Sequence, residues 1–457
     1  MSAVAETFGR GGQMNAQTGL DALKLERFRT LARHASTHAP YYSNVIRERA
    51  LDLNTCLPSD FPVLTKSILM ANFDAIVTDR RVTKKIVADF LTRSSDPRDR
   101  LFNELTVMHT SGTSGEVGYF LYAPSDYKRM NGNARRNGRA FRGLLKGRKQ
   151  PFRRIRVAFY GATGGHYAGV TAIASMQRGL RRLFVRGAAF EVNTPLPDVV
   201  AGLNEFQPDF LLGYTAALRM LATEQDAGRL KLAPRALVAS GEVTTKRDLE
   251  ALSGAFAGAR SISIYACTEH MMLGISSPDG ESMMLTDDNL IFEFHEDHSI
   301  ITNLFNFTMP LIRYRMSDIL QPMSAPGAHP ILIRNLVGRA EQMPTFQNGA
   351  GATDFLSPHT INEIFVKGVT RFQMQITGPT SFRFPFCVDP GLDAGERLVA
   401  ADAVVARLKE ILRQKGLGNV TFDVPLVDEI AVNVRTRKFQ LIVDERKVAE
   451  GHCAPSA

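Results

Sequence analysis

The chain has 457 residues, and at roughly 100–200 residues per domain it is expected to form two or three domains. Hydrophobic residues make up 44% and charged residues 22%, with 36 Gly and 22 Pro, a composition that excludes a disordered chain, a collagen-like repeat and a disulfide scaffold. The net charge of +9 suggests a polyanionic partner until it is located: ten Lys or Arg and no acid lie between Arg135 and Arg156, leaving the rest of the chain near neutrality.

Cys56, Cys267, Cys387 and Cys453 are far apart and form no CxxC pair, so neither a zinc site nor a disulfide framework is indicated. No stretch resembles a signal peptide, and no run of about 18 apolar residues occurs. The expectation is a cytoplasmic protein without a membrane partner.

Residues 1–20 are polar and Gly-rich and read as a flexible leader. From Leu23, LKLERFRTLARHA repeats apolar residues at helical spacing until APYY ends the pattern. FPVLTKSIL reads as a turn into a helix with Thr65 as its N-cap. LTVMHT is a strand that empties into SGTSGEVG, and YFLYA resumes as a strand. RIRVAFY (Arg154 to Tyr160) runs into GATGGHYAG, and TAIASMQRGLRRL is an amphipathic helix. LNEFQPDFLLGY, RALVASGE and ARSISIYACTE each end an apolar strand in small or polar residues. Strands alternating with helices predict a parallel or mixed α/β sheet, which binds ligands beyond the carboxyl ends of its strands.

LIFEFHEDHSIITNLFN and PLIRYRMSDILQP read as antiparallel strands. The character changes near Leu336, at a Gly-containing, hinge-like stretch. The tail gives strands RFQMQIT and SFRFPFCV, helix AGERLVAADAVVARLKEILRQKG, and strands VTFDVPLV and FQLIVDE, a compact α+β unit. The fold class expected is α/β: a large N-terminal α/β domain with mixed sheets over residues 21–340, and a small mobile α+β C-terminal domain over 341–457.

The loop His109 to Gly118, HTSGTSGEVG, combines glycines that let backbone N–H groups face a ligand with four hydroxyl donors, a combination suited to a polyphosphate or to a polar turn. It lacks the Gly-Lys of a Walker loop, and the G-x-S-x-G, GxGxxG and HExxH patterns do not occur. His295 and His298 in FHEDHS sit where a strand pair turns and read as a solvated hairpin rather than a metal site. In IYACTEH a carboxylate at a strand end can hold Mg²⁺ and a Tyr can stack on a base. In RYRMSDIL, Asp318 is placed to accept two vicinal ribose hydroxyls, and NLVGRAEQM adds Arg339 as a fixed cation.

The order of these motifs, followed by R-T-R-K near the C-terminus, resembles the adenylate-forming (acyl-CoA synthetase-like) superfamily, and within it the phenylacetate-CoA ligase branch. HASTHAPYY, FPVLTKSIL, NEFQPDFLLGYTAALRMLA and PLIRYRMSD are similar to that branch's phrases, and the resemblance spans about residues 28 to 445. It implies MgATP-dependent conversion of a carboxylic acid to an acyl-adenylate with release of pyrophosphate, then transfer to a thiol, with CoA as co-substrate. Ser111, Gly112, Thr113, Ser114 and Gly115 would hold the β- and γ-phosphates. Gly241 and Glu242 would border the adenine, Tyr265 would stack on it, Thr268 would touch the α-phosphate and Glu269 would hold Mg²⁺. Asp318 would grip the ribose with Arg339 assisting, Glu341 would be the hinge, and Lys438 the catalytic lysine of the C-terminal lid.

The chain departs from the family pattern at Glu116–Val117, Ala266–Cys267, Met316–Ser317 and PTFQNGAGATDF, the last within the surface that would grip the thiol acceptor. A carrier-protein thiol, an amine or a hydroxyl is the alternative acceptor. GATGGHYAG lies where the acyl pocket is expected, with Tyr160, Gly164, Gly165, His166 and Tyr214 as its residues, and Phe159 and Tyr167 as further walls; His166 either contacts the carboxylate or is a packed histidine. An aryl or medium acyl acid is the expected substrate. The basic patch is either a solvated face or a docking surface for the CoA phosphates or an acidic carrier protein. Nucleic-acid binding is the remote alternative: Phe141 and Phe152 are the patch's only aromatics and no known motif surrounds them. The oligomeric state, a homodimer among the options, is left open by the sequence.

Overall fold

The structure is a computed structural model that describes residues 22–110, 117–133, 153–176, 183–277, 280–296, 298–316, 318–325, 328–334, 344–356, 360–361, 364, 366–430 and 441–446. The leader, Ser111–Gly115, Glu116, most of the basic patch, Ser317, Arg339, Glu341, Lys438 and Cys453 lie outside the described residues.

The first apolar period forms the helix Ala22–His38, whose Phe28, Leu31, Ala32 and Ala35 are buried on one face. Lys24 lies on the same face and pairs with buried Asp287 at 3.2 Å. Pro40 does not simply end this helix; it opens a second one, Pro40–Glu48, occupying its first turn where no N–H is required. Thr65 caps the helix Lys66–Ala71 as expected, its Oγ1 accepting the Ile68 N–H at 3.3 Å.

The central sheet has eight strands. Val185–Glu191, Ile155–Gly161, Phe210–Tyr214, Ala236–Ser240 and Arg260–Cys267 lie side by side and parallel. Met271–Ser276, Ser282–Leu285 and Leu332–Arg334 extend the sheet antiparallel. Helices Ala168–Met176, Leu196–Phe206, Thr215–Asp226 and Lys246–Ala255 bury apolar faces. The inner strands Phe210–Tyr214 and Ala236–Ser240 read as nearly continuous apolar runs and are almost wholly buried, as strands covered on both faces are, whereas the edge strand Val185–Glu191 has no buried residue.

A separate apolar cluster joins the N-terminal helices to the antiparallel pair Thr106–His109/Tyr119–Tyr122 and to the three-stranded sheet Leu290–Phe294, Ser299–Asn303, Tyr314–Met316. Asp126 fixes this junction. Fully buried, it accepts from the N–H groups of Ala123 (2.7 Å) and Phe307 (2.9 Å), the Thr308 hydroxyl (2.6 Å) and the Arg129 guanidinium (2.8 Å).

The third cluster runs from Phe346 to Ile442. It packs the strands Thr421–Asp423, Ser381–Arg383, Met374–Gly378 and Ile442–Asp444, in that order, against the helix Ala394–Gln414. Asp393 and Glu396 form a reciprocal capping box at the start of this helix. In the hairpin Thr345–Gln347/Thr353–Phe355, Phe346 belongs to this third cluster, while Phe355 inserts into the core of the central sheet, edge-on to Tyr160 with ring centroids 6.4 Å apart. Among the described residues, no helix is long and apolar enough to cross a membrane.

Candidate active site

Two strand ends and one hairpin assemble the site. The strand Arg260–Cys267 ends in the turn Thr268–Glu269–His270, which reverses into Met271–Ser276 with Cys267 opposite Met271. This turn is clamped from the hairpin that carries the Ser/Thr/Gly loop: the Tyr122 hydroxyl donates to both the Thr268 and Glu269 carbonyls, at 2.7 and 2.8 Å. The base of the loop is closed by Thr110 and Gly118, whose backbone N–H and O bond at 2.9 Å. The Gly118 N–H also donates to Thr110 Oγ1 at 2.9 Å. Lys66 donates to the same hydroxyl at 3.0 Å.

Burial raises the pKa of the Glu269 carboxyl, and the positive charge of Lys66 opposes that shift. A carboxylate desolvated in this way is stabilised by a nearby positive charge, and Glu269 is the residue of this turn that would hold Mg²⁺ were one bound. Across the turn, the Tyr265 hydroxyl donates to Asp318 Oδ2 at 2.7 Å. Burial, reinforced by the Asp318 charge, pushes this phenol well above its ordinary range. The neighbouring Cys267 thiol is also raised by burial and stays protonated.

The second part of the site lies at the ends of Ile155–Gly161 and Phe210–Tyr214. Gly165 has φ +108°, a conformation that favours glycine, and its N–H donates to the Ser95 carbonyl at 3.1 Å. Tyr167 packs on His109, ring centroids 4.5 Å apart, and the His109 N–H meets the His166 carbonyl at 3.4 Å. The residue that opens the phosphate-type loop thus touches the candidate acid pocket. The His166 side chain itself is fully buried: its Nε2 meets Ser94 Oγ at 3.2 Å and its ring lies 5.1 Å from that of Phe90. Burial lowers its pKa, with the neighbouring His109 adding to the effect.

Tyr214 accepts the Ala162 N–H at 3.2 Å, and its ring lies beneath Gly241. A Cβ on Gly241, where φ is +78°, would come within 2.9 Å of that ring. One oxygen of the Glu242 carboxylate accepts the Ala216 N–H at 2.7 Å, at the start of the helix Thr215–Asp226. Tyr160 is fully buried, and its hydroxyl has no hydrogen-bond partner among the described residues.

The architecture matches solved enzymes over nearly the whole chain. 2-Hydroxyisobutyryl-CoA ligase in complex with 2-HIB-AMP and CoA in the thioesterification state aligns over 95% of this chain and 93% of its own, with a TM-score of 0.54 at 18% identity. The same enzyme in the postadenylation state with 2-HIB-AMP gives 0.51 at 16% identity over 95% and 92%. The chain shares the fold of this CoA ligase. No protein-family model matches its sequence, and no curated protein does.

Within this fold, the described candidates form two neighbouring groups: Tyr265, Thr268, Glu269 and Asp318 beside the loop base, and Tyr160, Gly164, Gly165, His166, Tyr214 and Gly241 at the adjacent strand ends. Sequence reasoning did not single out Lys66, Tyr122 or Glu191. Lys66 directly follows the cap residue Thr65, and a basic residue one position after a cap was its only signal. Tyr122 meets the turn across 146 residues of sequence, a contact no local pattern carries. The paired histidines of FHEDHS stack on each other at the expected hairpin, 4.4 Å apart, and no metal-type cluster occurs among the described residues.

Proposed function

We propose that the protein is an acid–thiol ligase. It activates a carboxylic acid with ATP and Mg²⁺, releases pyrophosphate, and passes the acyl group from the acyl-adenylate to CoA. The observation that carries this reading is the clamp of Tyr122 on the Thr268–Glu269 turn, which sets the strand-end carboxylate and hydroxyl beside the base of the Ser/Thr/Gly loop. A carboxylate oxygen of the acid attacks the α-phosphorus and the bond to pyrophosphate breaks. The acid is its own nucleophile, so no general base is needed. Negative charge that accumulates at the phosphorus requires fixed cations and donors in a dry site. Lys438, Arg339 and the loop Ser111–Gly115 supply them on this reading, Thr268 contacts the α-phosphate, and Glu269 holds Mg²⁺, which neutralises phosphate charge.

The adenosine lies along Gly241–Glu242 and Tyr265, its ribose on Asp318. The acid occupies the loop from Tyr160 to His166 with Tyr214 behind it, and the aromatic walls suit an aryl or medium acyl group. The phenylacetate-CoA ligase-like branch, a cytoplasmic location, rotation of the 341–457 lid about Glu341 and use of the basic patch in CoA docking belong to the same proposal. The test is pyrophosphate release with ATP, Mg²⁺ and a panel of carboxylic acids, with hydroxylamine trapping of the adenylate and with CoA, a carrier protein or an amine as acceptor. Release with at least one acid, lost in Lys438→Ala, is expected; no release with any acid overturns the reading.

A further inference from the structure

A partly buried polar cluster at the ends of Ile155–Gly161 and Val185–Glu191 lies outside the proposed nucleotide site. One oxygen of Glu191 accepts the Thr163 N–H at 2.6 Å, the Thr163 hydroxyl at 2.7 Å and the Gly164 N–H at 3.2 Å, and the other meets the Asn193 N–H at 3.3 Å. Four donors thus converge on a single carboxylate, and three of them belong to the GATGGH loop. The residue next to Glu191 is held from the far side. Lys415, at the C-terminal end of the helix Ala394–Gln414 and fully buried, donates to the Val192 and Thr194 carbonyls, each at 3.0 Å.

Asp354 pairs with Lys415 at 3.1 Å and accepts the Leu196 N–H at 3.0 Å, placing its charge at the start of the helix Leu196–Phe206. The Lys415 ammonium also lies 4.4 Å from the Phe355 ring centroid. Both charged residues come from the C-terminal part of the chain, and the groups they bind belong to the segment that carries Glu191.

We infer that Glu191 is a positioning residue for the acid-binding loop, and that Lys415 and Asp354 couple this loop to the seating of the C-terminal domain by fixing residues 192–196. The inference rests on the proposed reading of residues 160–166 as the acid pocket. Glu191 orients donors of the loop and does not touch the reacting atoms. When the C-terminal domain leaves its seat, the Val192 and Thr194 carbonyls lose their cation, and the end of strand Val185–Glu191 is released together with the loop it holds.

The experiment combines kinetics with hydrogen exchange on the full-length protein. Glu191→Ala is expected to raise KM for the acid about tenfold or more while KM for ATP stays within about twofold, and Glu191→Gln, which keeps an acceptor oxygen, to recover most of the loss. Amide exchange in the peptide covering residues 160–166 is expected to accelerate in Glu191→Ala. It should also accelerate in the double variant Lys415→Met/Asp354→Asn, which removes both charges and leaves neither buried alone. Equal rises in both KM values, or an unchanged acid KM, overturn the positioning role. Unchanged exchange at 160–166 in the double variant overturns the coupling. A wild-type protein that activates no acid refutes the acid-pocket reading, and the exchange measurement still decides the coupling.

Discussion

Tyr265 donates its phenolic hydrogen to Asp318 Oδ2 at 2.7 Å, joining the end of the central strand Arg260–Cys267 to the segment after Tyr314–Met316. The base-stacking and ribose-binding candidates are therefore one unit: the phenol fixes the carboxylate, and the carboxylate fixes the ring.

Removing the bond without removing the ring isolates this link. A hydrogen bond to a charged group contributes about 1.5–3 kcal/mol. Tyr265→Phe is expected to raise KM for ATP by several-fold with little change in KM for the acid, and Asp318→Ala to raise it further. Titration of pyrophosphate release with ATP at saturating acid checks both, and an unchanged ATP KM in Tyr265→Phe would show that the bond does not orient the nucleotide site.

Lys66 provides a pH prediction. Burial raises the Glu269 pKa and Lys66 lowers it, so removing the ammonium lets the carboxyl pKa rise further. If deprotonated Glu269 is the active form, Lys66→Met shifts the acid limb of the activity profile to higher pH. The pH dependence of kcat/KM for ATP measures the shift. An acid limb that stays in place separates Lys66 from Glu269.

His270 is fully buried, with neither ring nitrogen hydrogen-bonded among the described residues, and burial lowers its pKa to about 3. Between the unfolded value near 6.5 and that folded value, the unfolded chain binds the extra proton, so its contribution is complete above about pH 6.5 and falls with decreasing pH. The slope is at most about 1.4 kcal/mol per pH unit from this one group. Denaturant unfolding of His270→Leu between pH 7 and 4 is expected to show a shallower loss of stability than the wild type, with part of the slope that remains coming from His166 and His34, whose pKa values burial lowers in the same direction. Parallel curves would remove His270 as a source of acid lability.

Asp126 tests the frame beneath the site. It accepts four hydrogen bonds at full burial, and breaking such a pair from one side typically costs about 3–5 kcal/mol. Asp126→Ala is expected to lower the unfolding free energy by that order in equilibrium denaturation. A loss below about 1 kcal/mol would mean that the loop 304–310 finds other partners.

The parallel strands, the Thr65-capped helix and the order of the candidate motifs were legible because each is written in local sequence: apolar runs bounded by small residues, and Thr65 before a helical period. The first helix ends before Pro40 as read, at His38, but the second helix that Pro40 opens was not legible, because it depends on whether Tyr42 and Val45 find a core to enter, which they do. The roles of Tyr122, Glu191 and Lys415 were not legible, since each binds backbone carbonyls or N–H groups, which every residue carries and no sequence pattern marks.

The sequence by itself determined which residues could carry charge, turn tightly or hold a phosphate, because those capacities belong to side chains and glycines wherever they stand. Tertiary structure decided which of them meet. The contact of Lys415 with Val192 spans 223 residues, and that of Tyr265 with Asp318 spans 53. Partners so far apart are selected by the packing of whole layers, whose burial outweighs the entropy of closing the chain between them.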